Sequence, residues 1–78
     1  MNKYLNDARH HARKIERYHK YGGANGYSQA WPHWDNLLKI LRTLRSKNDT
    51  SAALDIQDII EPLKIMMKEM KERKAISE

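Results

Sequence analysis

Apolar residues recur at intervals of three and four positions along three stretches of this chain, and residues that break helices separate these stretches. Such spacing places the apolar side chains on one face of an α-helix, which has ~3.6 residues per turn. No stretch shows the two-residue alternation of a strand, and valine and phenylalanine, which favour strands, do not occur. The sequence therefore predicts a small all-α protein with three helices.

Capping and turn residues set the boundaries of the predicted elements. Asn6 can cap the first helix, and the glycines after Tyr21 end it. Pro32 suits the first turn of a second helix, and Asp49 begins a cluster of capping residues for a third. The prediction is a single domain, residues 1–78, with a helix at about 6–21, an aromatic and glycine-rich loop at 22–31, a helix at about 32–46, a loop at 47–50 and a helix at about 51–75.

Pro62 lies inside the third predicted helix and disturbs it. It has no N–H to donate to the carbonyl of Asp58, and its ring clashes with that turn. The apolar spacing nevertheless continues from Ile60 to Leu63. We therefore predict one helix with a kink at Pro62, and a helix split in two is the alternative.

The predicted helices differ in the width of their apolar faces. Helix 1 has a thin face with two alanines among its five members, which are Leu5, Ala8, Ala12, Ile15 and His19. Helices 2 and 3 carry wider faces, on which Leu41 and Leu63 are expected to be buried. Because helix 1 offers too little area to cover both, we predict that helices 2 and 3 form a hairpin that dimerises into a four-helix core, with basic helix 1 on its side. A monomeric three-helix bundle is the alternative.

Helix 3 also carries a second, narrower apolar patch. Leu54, Ile65 and Ile76 lie roughly opposite the main face of this helix. A helix that is apolar on two sides is either central in its fold or shared between subunits. The absence of cysteine, and with it of disulfides, also favours a homodimer, because so short a chain builds only a small core.

The net charge of +5 is concentrated towards the N-terminus, with +4 in residues 1–30, +2 in residues 31–50 and −1 in residues 51–78. Helix 1 carries five basic residues away from its apolar face: Arg9, Arg13, Lys14, Arg17 and Lys20. A continuous cationic face can follow a phosphate backbone and release its counterions. We therefore expect a nucleic-acid interface on helix 1, and an ordinary solvated face is the alternative.

Aromatic residues are concentrated before and within the start of helix 2, where four of the six fall in positions 21–34. Tyr27 and Trp31, in the predicted loop, are expected to stack on unpaired bases or to anchor a protein interface. Trp34 is expected instead to close one end of the bundle.

The histidines do not predict a metal site. His10 and His11 are neighbours, but His19 lies two turns further along helix 1, and His33 would join them only through the fold. We therefore predict no metal ion and no cofactor. The imidazoles are expected to add positive charge as the pH falls, which would tighten anion binding.

Several protein classes are disfavoured by the sequence. It contains no cysteine, nucleophile elbow or phosphate-binding loop, so we expect a binding protein and not an enzyme. No apolar run approaches the ~20 residues of a membrane span, and the N-terminus does not resemble a secretory signal. A cytoplasmic protein without membrane association is expected.

Two functions remain after these exclusions. The first is binding of nucleic acid, DNA included, through the cationic face of helix 1 and the aromatic loop. The alternative is a small regulator, inhibitor or adaptor, of the kind that phages and mobile elements encode, that docks on a larger protein. Salt separates the two, because phosphate binding weakens steeply with salt whereas an interface anchored by aromatic side chains weakens far less.

Overall fold

A computed structural model describes residues 3–77 of the chain, and it contains three α-helices joined by short connections. In chain order the elements are α1 (Lys3–Tyr21), a 3-10 helix (Gly23–Asn25), α2 (Gly26–Ser46) and α3 (Thr50–Ser77). No strand occurs within residues 3–77, so the predicted all-α class is confirmed. In the same part of the chain, none of the helices is both long enough and apolar enough to cross a membrane.

The three helices pack around one apolar core in a bundle that measures 42 × 19 × 17 Å. Its largest fully buried side chains come from all three helices: Ile15, Leu37, Leu44, Ile56, Ile60, Leu63 and Met70. Ala8 and Ala12 on α1 are buried as well, and their small side chains allow α1 to approach the other two helices closely. The wide faces of α2 and α3 are therefore covered within one chain, and their width does not require a second copy.

α1 begins at Lys3, three residues before the predicted cap Asn6. Tyr4 and Leu5 explain the difference, because both pack against the core. The Nζ atom of Lys47 also donates a hydrogen bond of 2.9 Å to the hydroxyl of Tyr4. These tertiary contacts stabilise an extra helical turn that the local sequence does not predict.

α2 begins at Gly26, so the predicted loop at 22–31 is wrong for residues 26–31. The glycines permit a tight turn here. A Cβ atom on Gly22 would lie 2.5 Å from the carbonyl oxygen of Tyr18, and one on Gly26 would lie 2.7 Å from the same oxygen. Gly23 adopts a positive φ of 56°, which residues with a side chain rarely adopt. The chain therefore reverses in four residues, and Pro32 lies inside α2 rather than in its first turn.

α3 begins at Thr50 and is capped by the residue before it. The Oδ1 atom of Asp49 accepts a hydrogen bond of 3.2 Å from the backbone N–H of Ala52. The helix then passes Pro62 without interruption and ends at Ser77. Both Pro62 and Asp58 lie on the exposed side of α3, so water can solvate the carbonyl that lacks its helical hydrogen bond.

The outer side of α3 carries the second apolar patch, which we call the α3 stripe. It consists of Leu54, Ile65 and Ile76, which are 61%, 64% and 85% exposed. The three residues are spaced by eleven positions, so they follow one line along the helix at intervals of about 16 Å. The α3 stripe is thus a row of separate apolar side chains and not a continuous surface.

Candidate nucleic-acid interface

Four exposed basic side chains form a line on α1, which we call the α1 ridge: Arg9, Arg13, Arg17 and Lys20. At about 100° per residue, these positions fall within an arc of about 80°, directed away from the core. The arginines succeed one another every fourth residue, about 6 Å apart along the axis. Within residues 3–77, all ion pairs involve other side chains. Glu16 is exposed at the margin of the α1 ridge but is not paired with any of its members.

Lys14, the fifth basic residue predicted for this face, is separate from the α1 ridge. It is half-buried on the flank of α1. The pKa of His33 on α2 is lowered mainly by burial and further by nearby positive charges, including that of Lys14. Lys14 therefore faces α2, and four of the five predicted cations remain as one exposed line.

Tyr27 and Trp31 lie in the first turns of α2 and not in a loop. With Trp34 they occupy positions four and seven residues apart, so all three fall within an arc of about 60° on α2. Tyr27 and Trp34 are partly buried against the core, whereas Trp31 is 45% exposed. The helix fixes the backbone positions of these three residues, so their spacing is set before any ligand binds.

A shallow cavity of about 270 Å³ lies between α2 and α3, and we call it the α2/α3 groove. It is lined by Tyr27, Trp34, Met67, Lys68 and Lys71. Met67 is almost fully buried and forms its floor, while both lysines are exposed. On the described part of the chain neither lysine has a carboxylate partner, so the groove combines aromatic walls with two uncompensated positive charges.

The lysines of this groove were missed by the sequence analysis because residues 51–78 carry a net charge of −1. Charge on α3 is divided between its sides. Lys74 extends towards α2, with its Nζ atom 5.9 Å from the centre of the Tyr27 ring and 3.4 Å from the Oγ atom of Ser28. Lys68 and Lys71 precede Lys74 at helical spacing, on the side of α3 next to α2. If the basic residues of helix 3 are considered apart from its acidic residues, the sequence predicts a cationic face on this side.

The opposite side of α3 holds the end of α1. The Nε2 atom of His19 lies 3.0 Å from Oε1 of Glu69 and donates a hydrogen bond to it. Arg73 donates a second hydrogen bond, of 2.6 Å, from Nη1 to the backbone carbonyl of His19. A guanidinium at the end of a helix satisfies a carbonyl that lacks a helical partner. His19 therefore has a structural role in this bundle.

His11 and His33 form a pair between α1 and α2. Their Nδ1 atoms are 2.9 Å apart, a distance at which one imidazole donates a hydrogen bond and the other accepts it. Burial is the main cause that lowers the pKa of His11, followed by the charge of His10, with Asp7 opposing both. Burial also lowers the pKa of His33. This pair therefore gains positive charge at lower pH than an ordinary exposed histidine does.

The same pair shows how the fold assembles histidines that the sequence separates by 22 positions. Three or more potential ligands from histidine, cysteine, aspartate or glutamate do not converge anywhere in residues 3–77. The geometry of His11 and His33 is accounted for by their hydrogen bond.

The α2/α3 groove is thus a cationic surface in addition to the one that the sequence predicts on helix 1. The α1 ridge belongs to α1 alone, and the residues that line the α2/α3 groove come from α2 and α3. Tyr27 makes its cation–π contact with Lys74 and not with an arginine of α1. Comparisons with protein-family models, with curated proteins and with solved structures each found no match to this chain.

Proposed function

We propose that this chain is a small, basic, non-enzymatic protein that binds nucleic acid by placing the α1 ridge along the phosphate backbone. The observation that carries the proposal is the line of Arg9, Arg13, Arg17 and Lys20, exposed and without carboxylate partners among residues 3–77. Cations already paired with carboxylates would have to break those pairs to bind phosphate. These four can bind it directly and release its counterions.

The number of ridge cations sets the expected dependence on salt. Four phosphate contacts correspond to a slope of log K against log salt of about −3.6 for duplex DNA, since each contact contributes about −0.9. Such binding is tolerant of sequence, because phosphates carry no base identity. A solvated helix face without a partner would give no measurable binding under the same conditions.

Fluorescence anisotropy with labelled duplex DNA of random sequence, titrated at several salt concentrations, tests this proposal. Arg13→Ala should weaken binding and reduce the magnitude of the slope by about 0.9. Lys39→Ala is the matched control, because it removes one exposed charge from α2, away from the α1 ridge, where it pairs with Asp35. Arg13→Lys keeps the charge and should retain the slope. No binding at micromolar protein, or equal effects of Arg13→Ala and Lys39→Ala, would contradict the proposal.

Docking on a larger protein is the second candidate, and the exposed α3 stripe favours it. Leu54, Ile65 and Ile76 would gain most from burial in a partner surface. A homodimer would also use this stripe, since the main apolar faces of α2 and α3 are already buried in one chain. Light scattering of the wild type and of Ile65→Lys tests for the homodimer. A charge at the centre of the stripe should reduce the mass of a homodimer to that of the monomer, whereas a chain that docks only on a larger protein has the monomer mass in both cases.

A further inference from the structure

We propose that the α2/α3 groove is a binding site for an unpaired nucleobase and its phosphate, which would give the protein a preference for single-stranded nucleic acid. This inference rests on the proposed function and assigns a second contact surface to it. Tyr27 and Trp34 line the groove, and Lys68 and Lys71 stand at its edge.

The aromatic side chains supply the surface on which a base would stack. Tyr27 and Trp34 form part of the cavity wall, and Trp31 lies between them in sequence on the same face of α2. Trp31 is 45% exposed but does not line the groove, so Tyr27 and Trp34 form the stacking surface. Stacking tolerates any base identity, since every base presents a π face.

The lysines supply the complementary charge. Lys68 and Lys71 carry no ion pair within residues 3–77, and Lys74 places a third ammonium group beside the Tyr27 ring. An apolar peptide segment would cover the rings but make no use of these ammonium groups, whereas an anion beside the rings would pair with them. A ligand with a flat aromatic body and an adjacent anion satisfies both halves of the groove, and a nucleotide unit has this chemistry.

The size of the groove limits what fits. Pockets that enclose drug-sized ligands measure roughly 300–1,000 Å³, and this cavity of about 270 Å³ is smaller and shallow. It suits a single base with the chain continuing on either side. In a duplex the faces of the bases are already stacked on their neighbours, so only a single strand, a loop or a frayed end can present one.

The test compares a labelled oligothymidine with a duplex of random sequence, using fluorescence anisotropy together with quenching of tryptophan fluorescence. Tyr27→Ala should weaken oligothymidine binding about 5- to 150-fold, the range expected for loss of one stacked base, and should leave duplex binding nearly unchanged. Tyr21→Ala is the matched control, because Tyr21 is 74% exposed but does not line the groove. Lys68→Ala/Lys71→Ala should reduce the single-strand salt slope by about 1.4, at about 0.7 for each charge.

Two patterns of failure can be told apart. If the wild type binds neither ligand, the proposed function itself is wrong. If it binds both, and Tyr27→Ala and the double lysine variant alter neither affinity nor quenching, the α1 ridge remains supported and the groove assignment is overturned. Circular dichroism of each variant shows whether it folds. Lys68 and Lys71 are exposed whereas Tyr27 is partly buried, so the double lysine variant tests the groove even if Tyr27→Ala is destabilised.

Discussion

His11 and His33 approach each other to 2.9 Å between their Nδ1 atoms, and this contact ties α1 to α2. One Nδ1 atom must be without a proton for the hydrogen bond to form. Two imidazolium rings at this distance would instead repel each other. This polar contact between the two helices, which adds to their apolar packing, therefore depends on the protonation of a single pair of side chains.

This pair makes the stability of the fold depend on pH. Because the pKa values of both histidines lie below 6.5 in the folded chain, the folded state binds fewer protons than the unfolded state. The stabilisation is complete above about pH 6.5 and is lost as the pH falls through the folded pKa values. Melting temperatures measured from about pH 7.5 to pH 5 should decline in the wild type. His33→Gln should decline less, and equal slopes for the two proteins would contradict this prediction.

Leu63 and Leu54 provide a matched test of the core. Leu63 is 1% exposed, so Leu63→Ala should lower the free energy of unfolding by about 2–5 kcal/mol. Leu54 lies on the same helix but is 61% exposed, and Leu54→Ala should have little effect. Leu41→Ala should resemble Leu63→Ala, because Leu41 is 7% exposed. Thermal melting followed by circular dichroism measures all three, and similar melting temperatures for Leu63→Ala and Leu54→Ala would disprove the packing.

Gly26 is expected to resist replacement even though it lies in a helix. In an exposed helix, alanine is favoured over glycine by about 1 kcal/mol. Here the added Cβ atom would lie 2.7 Å from the carbonyl oxygen of Tyr18 and 3.2 Å from the Sδ atom of Met70. Gly26→Ala should therefore destabilise the chain. Gly23→Ala is the comparison, since its Cβ meets no atom within 4 Å and only the positive φ opposes it. A higher melting temperature for Gly26→Ala than for the wild type would be inconsistent with the close helix crossing.

Pro62→Ala should stabilise the chain. Alanine restores the N–H that can donate to the carbonyl of Asp58, and it removes the clash of the ring with that turn. Ile60 and Leu63, on either side of the proline in sequence, are buried, so the core should not change. The melting temperature of Pro62→Ala is therefore expected to rise, with the same helical content by circular dichroism. A lower melting temperature would mean that the bundle requires the backbone geometry imposed by proline.

The core could be predicted from the sequence wherever burial follows the helical period. Ala8, Ala12 and Ile15 were expected on the buried side of helix 1 and are buried there. The start of α2 could not be predicted in this way. Gly26 and Pro32 both disfavour helix locally, but Ala30 is fully buried and Tyr27 packs against the core, and these tertiary contacts stabilise the helical start.

The residues of the candidate site could likewise be predicted where they lie on one helix, but not where they come together from different helices. The α1 ridge could be predicted because its members lie on one helix, where spacing alone determines the shared face. The α2/α3 groove and the pair of His11 and His33 depend on contacts between distant segments. A sum of charges over residues 51–78 conceals Lys68 and Lys71, and the 22 positions between the two histidines conceal their contact.

The path of the chain through the bundle determines at which end of the protein an immobilisation tag should be attached for binding experiments. The contact of Lys47 with Tyr4 places the start of α1 beside the turn between α2 and α3. The contact of Arg73 with His19 places the last turns of α3 at the other end of the bundle, close to the lysines of the groove. Immobilised through its amino-terminal end, the protein would present the groove to solution. A tether at the carboxyl-terminal end would crowd the site at which oligothymidine is expected to bind.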